Sequence, residues 1–379
     1  MSFSLTLSDG AAVLRQSLRQ QILAISLAPP HQHAFESLAL AVFRYQAVHN
    51  PLYNAYLAHL ATQPEQITSL RQIPFMPIGF FKNHAVLTGI DWAKATTKDT
   101  LTFASSGTTA EKSQLTSQHF VPDSALYDAI STRIFERAYG PLQDVRILAL
   151  LPSYLERNNS SLVYMVQRFM ARSARLPTKN GETSGNEDGF FLHNHAALTE
   201  QLKQLARQPD QKKILLIGVT FGLLDWAESA QDLAFLGDLP QLIVMETGGM
   251  KGRRKELLRE EVHDILTDRL GVQTIHSEYG MTELLSQAYS TGGGVFQPGS
   301  TMRIVLRDIN DPFHLYPRDY TRTGERRTGG INVVDLANLD SCSFIETQDL
   351  GQYVGTEEDF RVIGRFDNSD IRGCNLMII

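Results

Sequence analysis

Cysteine is scarce in this sequence, and long apolar runs are absent from it. Two cysteines in 379 residues are too few for a disulfide framework or for a zinc site built from cysteines. No stretch approaches the roughly 20 apolar residues that a membrane span needs. The first residues also lack the basic region and apolar core of a secretory signal. We therefore expect a cytoplasmic protein without a membrane span.

An excess of positive charge is also missing. The formal net charge is −6, whereas proteins that bind nucleic acid usually carry a broad basic surface. We therefore expect no nucleic-acid partner. A hydrophobic content of 42% with 20% charged residues is ordinary for a globular protein with a sizeable core.

The length of the chain exceeds the usual range of about 100–200 residues for one domain. Its pattern predicts a helical N-terminal segment (1–95), an α/β core (96–294), a small β subdomain (295–363) and a hinge-like C-terminal tail (364–379). In the core, short apolar runs alternate with amphipathic segments, which is typical of an α/β fold with a mainly parallel sheet. Beyond residue 295, strand-like pieces follow one another without helical spacers and predict a small antiparallel or barrel-like unit.

Periodicity assigns the main elements. Residues 33–50 place apolar side chains along one stripe and predict a helix. Residues 124–140 predict a second helix, with Ser124 as its N-cap. Five apolar runs predict the strands of the core, namely LTFA, VRILALLP, KILLIGV, QLIVMET and VQTIHSEYG.

The first chemical signal is a loop rich in hydroxyl groups, TFASSGTTAEKSQ, which follows the predicted strand LTFA. It contains Ser105, Ser106, Gly107, Thr108 and Thr109. Small residues let backbone N–H groups approach an anion, and the hydroxyls add donors, so the loop could cradle nucleotide phosphates. It is not a P-loop, because G-x-x-x-x-G-K-[ST] is absent. A polar surface turn explains the same residues equally simply.

Two further motifs follow predicted strands. METGGMKGRR brings Gly248 and Gly249 to a strand end, where missing side chains would let a flat ring approach the backbone. HSEYGMTELL offers Tyr279 for stacking, Thr282 for a phosphate oxygen and Glu283 for a divalent cation. Each fragment alone has an ordinary explanation, since a buried tyrosine is usually core and Thr-Glu often opens a helix.

The last two signals lie in the predicted β subdomain. ETQDLG supplies Asp349, which suits a ribose diol, and GRFDNSD supplies Arg365 beside a turn. Asp-Leu-Gly is a common turn by itself. The order of all five motifs along the chain is the informative feature.

In this order the motifs resemble those of the adenylate-forming superfamily of acyl-CoA synthetases, luciferases and nonribosomal adenylation domains. The resemblance implies an α/β, adenylate-forming N-domain-like fold with mainly parallel sheets flanked by helices plus a small β subdomain. It implies ATP and Mg²⁺ as cofactors, with Asp367 in the Gly-Arg-x-Asp motif that leads into a hinge. The implied nucleotide-binding residues are Ser105, Ser106, Gly107, Thr108, Thr109, Lys112, Gly248, Gly249, Tyr279, Gly280, Asp349 and Arg365; Thr282 and Glu283 are implied as catalytic, and Glu283 as the metal ligand.

The sequence departs from the superfamily pattern in two places. Ala110 stands where a glycine is usual, and EKSQ, which contains Lys112, replaces the common x-Pro-Lys continuation. After Asp367 only NSDIRGCNLMII follows, where the superfamily has a C-terminal lid domain with a catalytic lysine. The resemblance therefore implies that this lid is missing or vestigial.

A narrower resemblance is to the acyl-protein synthetase family of the LuxE type, which is related to phenylacetate–CoA ligases. It runs over IPFMPIGFFK, LPSYLERNNSSLVYMV, ETGGMKGRR, SEYGMTELLSQAY and RTGGINVVDLANLDSCSFIETQDLG. That family activates a carboxylic acid, typically fatty, with ATP and passes the acyl group to a cysteine near the C-terminus. Cys374 occupies this position, and an acyl-reductase, an acyl carrier or an acyltransferase is the implied protein partner.

Two alternatives stay open. The same scaffold could load coenzyme A, an amine or a carrier protein, with Cys374 used only for packing. The protein could instead be a non-catalytic nucleotide- or acyl-binding subunit, because the lid lysine has no counterpart.

Five other residues attract attention. Cys342 begins a predicted strand, and we interpret it as structural. His193 and His195 have strand-like spacing, but no acidic or cysteine partner nearby completes a metal site, which favours surface or loop histidines. Ser153, with Tyr154 beside it, lies in a segment, LPSYLERNNSS, that is a candidate wall of the acyl pocket.

Overall fold

The computed structural model describes residues 9–25, 32–89, 100–105, 116–153, 159–174, 189–208, 211–229, 232–248, 257–318, 327–355 and 358–366. Within these ranges the α-helices are α1 (Asp9–Ala24), α2 (Gln32–His49), α3 (Pro51–His59), α4 (Phe80–Asn83), α5 (Ser124–Tyr139), α6 (Ser161–Ser173), α7 (His195–Arg207), α8 (Thr220–Ala227) and α9 (Arg259–Leu270). Short 3₁₀ helices cover Pro64–Gln66, Leu70–Gln72, Leu142–Asp144 and Ala234–Asp238.

The described strands are β1 (Met76–Pro77), β2 (Leu101–Ala104), β3 (Gln118–Val121), β4 (Val145–Leu150), β5 (Gly189–Phe190), β6 (Lys213–Gly218), β7 (Leu242–Glu246), β8 (His276–Tyr279), β9 (Ala288–Ser290), β10 (Gln297–Pro298), β11 (Met302–Arg307), β12 (Gly329–Asp335), β13 (Phe344–Tyr353) and β14 (Phe360–Arg365). They form a seven-stranded, a five-stranded and a two-stranded sheet. The predicted α/β fold class, with a mainly parallel sheet and a smaller β unit, is confirmed.

The large sheet has the order β10-β9-β8-β7-β6-β4-β5. Strands β5, β4, β6, β7 and β8 run parallel, whereas β9 and β10 add an antiparallel edge. Alternate residues of β4 face two apolar clusters: Ile147 and Ala149 belong to one, Leu148 and Leu150 to the other. Because both faces of the sheet are covered, its central strands are continuous apolar runs rather than alternating ones.

The smaller sheet has the order β1-β13-β12-β11, and β14 also pairs with β13. Its pairings are antiparallel except that of β1, which runs parallel to β13 through Met76 and Ile345. The sequence did not predict β1, because two residues, one of them Pro77, are too few for a period-2 pattern. Main-chain hydrogen bonds between Phe296 and Phe360 join this sheet to the end of the large one.

The strand LTFA is correctly predicted as β2, but its place in the parallel sheet is wrong. It pairs antiparallel with β3, and Leu101 lies opposite Val121. The two strands flank the hydroxyl-rich loop and form a separate ribbon. An apolar run indicates a strand but does not specify its partner.

Helix termini follow local capping rules, with one correction. The N-cap of α5 is Asp123 rather than Ser124, because the Asp123 carboxylate accepts from Leu126 N at 3.0 Å. Asp123 also forms ion pairs with Arg15 and Arg19 on α1. A carboxylate at this position therefore caps one helix and holds another. At the far end, Gly140 with φ +88° ends α5.

The N-terminal helices pack on the smaller sheet. From α2, Gln46 Nε2 donates to Asn338 O at 2.9 Å, and from the N-cap of α3, Asn50 Nδ2 donates to Ser341 O at 2.9 Å. Both side chains are fully buried. One apolar cluster runs from Leu18 to Phe360 and includes residues of the predicted helical segment, the α/β core and the β subdomain. The boundaries between those segments stay predictions.

The structure also places Cys342 and the two histidines that the sequence analysis singled out. Cys342 is a free, fully buried cysteine next to the start of β13, as its structural interpretation expects. His195 is the first residue of α7, capped by Asn194, and the exposed His193 lies in the turn before this helix. None of the helices in the described ranges has the length and apolar content to cross a membrane.

Candidate functional site

The carboxyl ends of the parallel strands meet at one edge of the large sheet. There Val219 N donates to Leu150 O, and Thr247 N donates to Gly218 O at 3.1 Å, so the turns after β4, β6 and β7 are tied together. In open parallel sheets the ligand crevice lies outside these carboxyl ends. We therefore expect a ligand site at this edge.

A pocket opens at this edge, with about 130 Å³ of space that water-sized molecules can occupy. Its walls come from the turns after β7 and β8, from β2, and from α5 and α6. The lining combines apolar side chains such as Met165 and Leu284 with hydroxyl groups and one carboxyl group. The lining residues at the end of β8 are Glu278, Gly280, Met281 and Thr282, and those from the other elements include Ala104, Tyr127, Ser160, Ser161 and Thr247.

The side chains of consecutive residues in β8 point to opposite faces of the sheet, as strand geometry requires. Glu278 lines the pocket. Tyr279 is directed instead toward the smaller sheet, where its ring makes edge contacts with Phe296 and Phe360 at centroid distances of 5.9 and 5.5 Å. The end of β8 therefore lies between the pocket on one face and the smaller sheet on the other.

On the Tyr279 side, two motifs from different sheets meet. The Tyr279 hydroxyl donates to Asp349 Oδ2 at 2.9 Å, and Arg365 Nε lies 3.2 Å from Asp349 Oδ1. Burial, followed by the charge of Asp349, holds the pKa of Tyr279 well above its usual value, so the phenol stays protonated and donates. Burial also raises the pKa of Asp349, against the opposing charge of Arg365.

The loop after β8 carries Thr282 and Glu283. The Glu283 carboxyl is buried, and burial raises its pKa although a hydrogen bond from Ser117 opposes the shift. The backbone of this loop is held at two points: Glu283 O accepts from Asn338 Nδ2 at 2.8 Å, and Thr282 O accepts from His119 Nδ1 at 2.9 Å. The loop is therefore braced from the smaller sheet and from the β2–β3 ribbon.

The two ends of the hydroxyl-rich loop, Ser105 and Ser117, lie next to the residues that hold the loop after β8. Ser105 N donates to Ser117 O, and Ser117 N donates to Ser105 Oγ, both at 3.0 Å. Ser117 also bonds to the Glu283 carboxyl. The tertiary structure thus connects two motifs that lie about 180 residues apart in the sequence.

His119 is the inner support of this region. Because Thr282 O can only accept, His119 Nδ1 carries the proton, and Nε2 accepts from Ser341 Oγ at 2.8 Å. Burial lowers the pKa of His119 to about 4, so the ring is neutral at physiological pH. Nothing in the sequence marks this histidine, since its partners come from distant segments.

Glu246 shapes the turn that contains Gly248. Its carboxylate accepts from Gly248 N at 2.6 Å, from Thr220 Oγ1 at 3.1 Å and from Arg259 Nε at 3.1 Å. Burial opposes ionisation, but a hydrogen bond from His263 and the charge of Arg259 outweigh it and lower the pKa of Glu246 to about 2. Gly248 has φ +73°, a conformation that glycine adopts at least cost.

A magnesium ion suits the residues that are present. Mg²⁺ is commonly held by one or two protein carboxylates together with substrate phosphates and water. Glu283 offers one such carboxylate beside the base of the loop that resembles a phosphate loop. In the described ranges no group of three histidine, cysteine or acidic side chains forms a self-sufficient metal site, so the phosphates would have to complete the coordination.

The structure brings together eight of the residues that the sequence singled out, and others lie outside the described residues. Those brought to this edge of the sheet are Ser105, Gly248, Tyr279, Gly280, Thr282, Glu283 and, from the smaller sheet, Asp349 with Arg365. Outside the described ranges lie Ser106, Gly107, Thr108, Thr109, Lys112, Gly249, Asp367 and Cys374. Sequence reasoning missed Ser117, His119, Glu278 and Gln287; only Glu278 carried a signal, as an acidic residue inside an otherwise buried strand.

No protein-family model matches the chain, and no curated protein matches it. Among solved structures, the crystal structure of an acyl-CoA synthetase from Brucella canis is similar, with a TM-score of 0.41 and 17% sequence identity. The match covers 70% of this chain and 45% of that protein, so the chain spans less than half of its length.

At this level the similarity carries no argument about activity or substrate. The superfamily resemblance therefore depends on the motifs and on the site geometry. The narrower resemblance to acyl-protein synthetases receives no support from the comparisons and stays a hypothesis.

Proposed function

We propose that this protein activates a carboxylic acid with ATP, forming an acyl-adenylate and releasing pyrophosphate. One arrangement supports the proposal. The end of β8 carries the Tyr279–Asp349–Arg365 cluster on one side and the pocket on the other, with Thr282 and Glu283 directly after it. A nucleotide on the first side and an acid in the pocket would meet at this strand end.

The residues divide the binding tasks by their chemistry. The carboxylate of Asp349 offers two acceptor oxygens for the ribose hydroxyls. The Tyr279 hydroxyl donates to Oδ2 of this carboxylate and so fixes its orientation. Arg365, with 68% of its side chain exposed, adds positive charge at the rim. The loop that starts at Ser105 supplies hydroxyl and backbone donors for the phosphates. Together they hold the α-phosphorus in range of the acid.

The reaction then needs positioning and charge stabilisation more than covalent help from the protein. A carboxylate oxygen of the acid attacks the α-phosphorus in line, a new P–O bond forms, and the bond to pyrophosphate breaks. Thr282 lines the pocket, and its hydroxyl would orient a phosphate oxygen. Magnesium, when bound through Glu283, would neutralise charge on the phosphate oxygens.

The second half of the proposal is transfer of the acyl group to Cys374. The thiolate attacks the acyl carbonyl, AMP leaves, and a thioester forms. The motif resemblance supports this step. The thioester would then be passed to an acyl-reductase, an acyl carrier or an acyltransferase. A fatty acid as the substrate is part of the same resemblance.

Pyrophosphate exchange tests the first half directly. The protein is incubated with ATP, Mg²⁺, labelled pyrophosphate and one carboxylic acid at a time, and we expect label in ATP only when an accepted acid is present. Glu283→Gln should raise the Mg²⁺ concentration for half-maximal exchange about tenfold or more, because the ion loses a charged ligand. Glu200→Gln, on the exposed surface of α7, is the matched control and should leave exchange unchanged. Absence of exchange with a broad panel of aliphatic, aromatic and amino acids would refute the proposal.

A further inference from the structure

The carboxyl group of Glu278 is an unusual component of the pocket. The residue is 7% exposed and lies on the central part of the large sheet, opposite Tyr289 on β9. No described residue donates a hydrogen bond to its carboxyl oxygens. A buried carboxyl without a partner costs free energy, so natural proteins retain one mainly where a ligand or a function requires it.

A second unpaired acceptor lies in the same pocket. The Nε2 group of Gln287 donates to Leu285 O at 3.1 Å, which fixes the orientation of the amide. Its Oε1 atom is buried and has no partner among the described residues. Glu278 and Gln287 both line this one cavity.

The surroundings of Glu278 contain no described cation that could pair with it. The pocket lining has neither lysine nor arginine. The groups that face Glu278 are the carboxylate of Glu246 on β7 and the phenols of Tyr127, Tyr139 and Tyr289. Burial, followed by the charge of Glu246, raises the pKa of Glu278 to about 8. A bound cation would supply the missing partner.

We propose that Glu278 and Gln287 recognise an ammonium group of the substrate, so that the acid activated at this site is an amino acid rather than an unsubstituted fatty acid. This inference deepens the proposed function and rests on it. The ammonium group would donate to both acceptors, and Glu278 would ionise as it binds. An alkyl chain in the same place would leave both acceptors buried and unpaired, which binding sites built for a donor reject strongly.

The pocket chemistry agrees with a substrate of mixed polarity. Met165, Leu162 and Leu284 offer contact for carbon atoms, whereas Ser160 and Thr247 add polar edges. Few polar groups in fixed positions on an apolar wall are typical of sites that fix a ligand's orientation. The carboxylate of the substrate would then be directed toward Gly280 and Thr282, where the nucleotide is proposed to bind.

The test compares amino acids with acids in which a methyl group replaces the ammonium group. Suitable pairs are L-alanine with isobutyric acid and γ-aminobutyric acid with valeric acid, extended to longer amino acids and fatty acids. Pyrophosphate exchange gives kcat/KM for each acid. We expect the accepted amino acid to exceed its methyl partner about 10- to 100-fold, the effect of a hydrogen bond to a charged group.

Glu278→Gln keeps the shape of the side chain and removes its charge. It should remove most of this preference, mainly through KM for the amino acid, while KM for ATP stays unchanged. Glu278→Leu should shift preference toward the methyl partners. Glu200→Gln is the matched control, because it removes a glutamate on the exposed surface of α7. The substrate panel on the unaltered protein decides the question even where a variant fails to fold.

Calorimetry separates failure of this inference from failure of the proposed function. Binding of the preferred amino acid at pH 7 should release close to one proton, seen as a dependence of the heat on the buffer, and Glu278→Gln should abolish this release. Exchange with fatty acids only, unaffected by Glu278→Gln, would overturn the inference and leave acid activation intact. Absence of exchange, with an amino acid that still binds through Glu278, would overturn only the activation. Binding of neither class would overturn both.

Discussion

Asp349 and Arg365 lie directly opposite each other on the antiparallel strands β13 and β14, with Arg365 Nε 3.2 Å from Asp349 Oδ1. Tyr279, from the other sheet, occupies the second carboxylate oxygen. The Asp349 carboxylate is therefore held between a cation at the rim and a phenol in the core. Since Arg365 is mostly exposed, this ion pair orients the carboxylate more than it stabilises the fold.

If Asp349 receives the ribose hydroxyls, Asp349→Asn should raise KM for ATP about tenfold or more, because a neutral amide oxygen is a weaker acceptor than a carboxylate. The unaltered protein should discriminate against 2′-deoxyATP, and the variant should discriminate much less. Pyrophosphate exchange with each nucleotide measures both effects.

Asp268→Asn on the exposed surface of α9 is the matched control for the loss of one acidic charge. It should change neither KM nor the preference for ATP. Equal discrimination against 2′-deoxyATP in the Asp349 variant and the unaltered protein would show that Asp349 does not contact the ribose.

Two buried groups should give the stability of the protein opposite dependences on pH. Burial raises the pKa of Glu278 from 4.5 to about 8, so its stabilising contribution is full below pH 4.5 and is lost as the pH rises through 8. Burial lowers the pKa of His119 from 6.5 to about 4, so its contribution is full above pH 6.5 and is lost as the pH falls through 4. Each effect is on the order of a few kcal/mol.

Urea unfolding between pH 4 and 9 measures this dependence as a free energy of unfolding. Glu278→Gln should flatten the loss of stability between about pH 5 and 8, because the amide does not titrate. His119→Asn should flatten the loss of unfolding free energy on the acid side of the profile. It should also lower the unfolding free energy at every pH, because Asn can replace the hydrogen bond to Thr282 but not the one to Ser341. Parallel pH profiles for both variants and the unaltered protein would contradict the assignments.

Acyl transfer should label only one of the two cysteines. Cys342 is fully buried, and burial raises the pKa of its thiol to about 12, so it is unreactive in the folded protein. We expect a hydroxylamine-sensitive acyl label on Cys374 after incubation with ATP, Mg²⁺ and an accepted acid. Mass spectrometry of peptides locates the label.

Cys374→Ser should abolish the thioester and leave pyrophosphate exchange intact, whereas Cys342→Ala should retain both. If product still passes from the Cys374 variant to coenzyme A, an amine or a carrier protein at the normal rate, the cysteine is not an intermediate. The first alternative function would then replace acyl-protein synthesis.

Part of the candidate site could be predicted from short motifs. Tyr279, Thr282 and Glu283 are neighbours in the chain, so their common location follows from one turn after one strand. Asp349 and Arg365 required the pairing of β13 with β14, and the sequence indicates both strands but not their register. His119 could not be predicted, because its role depends on Thr282 and Ser341, which lie more than 160 residues away.

The sequence by itself determined where α2, α5 and the strands β2, β4, β6, β7 and β8 lie, because the apolar pattern of a segment reflects its own conformation. It also determined the order of the motifs. Only the tertiary structure decided that LTFA leaves the parallel sheet, that Asp123 caps α5, and that Glu278 and Tyr279 serve opposite sides of one strand end. Those outcomes depend on contacts between segments far apart in the chain, and long-range packing leaves no periodic pattern in a single sequence.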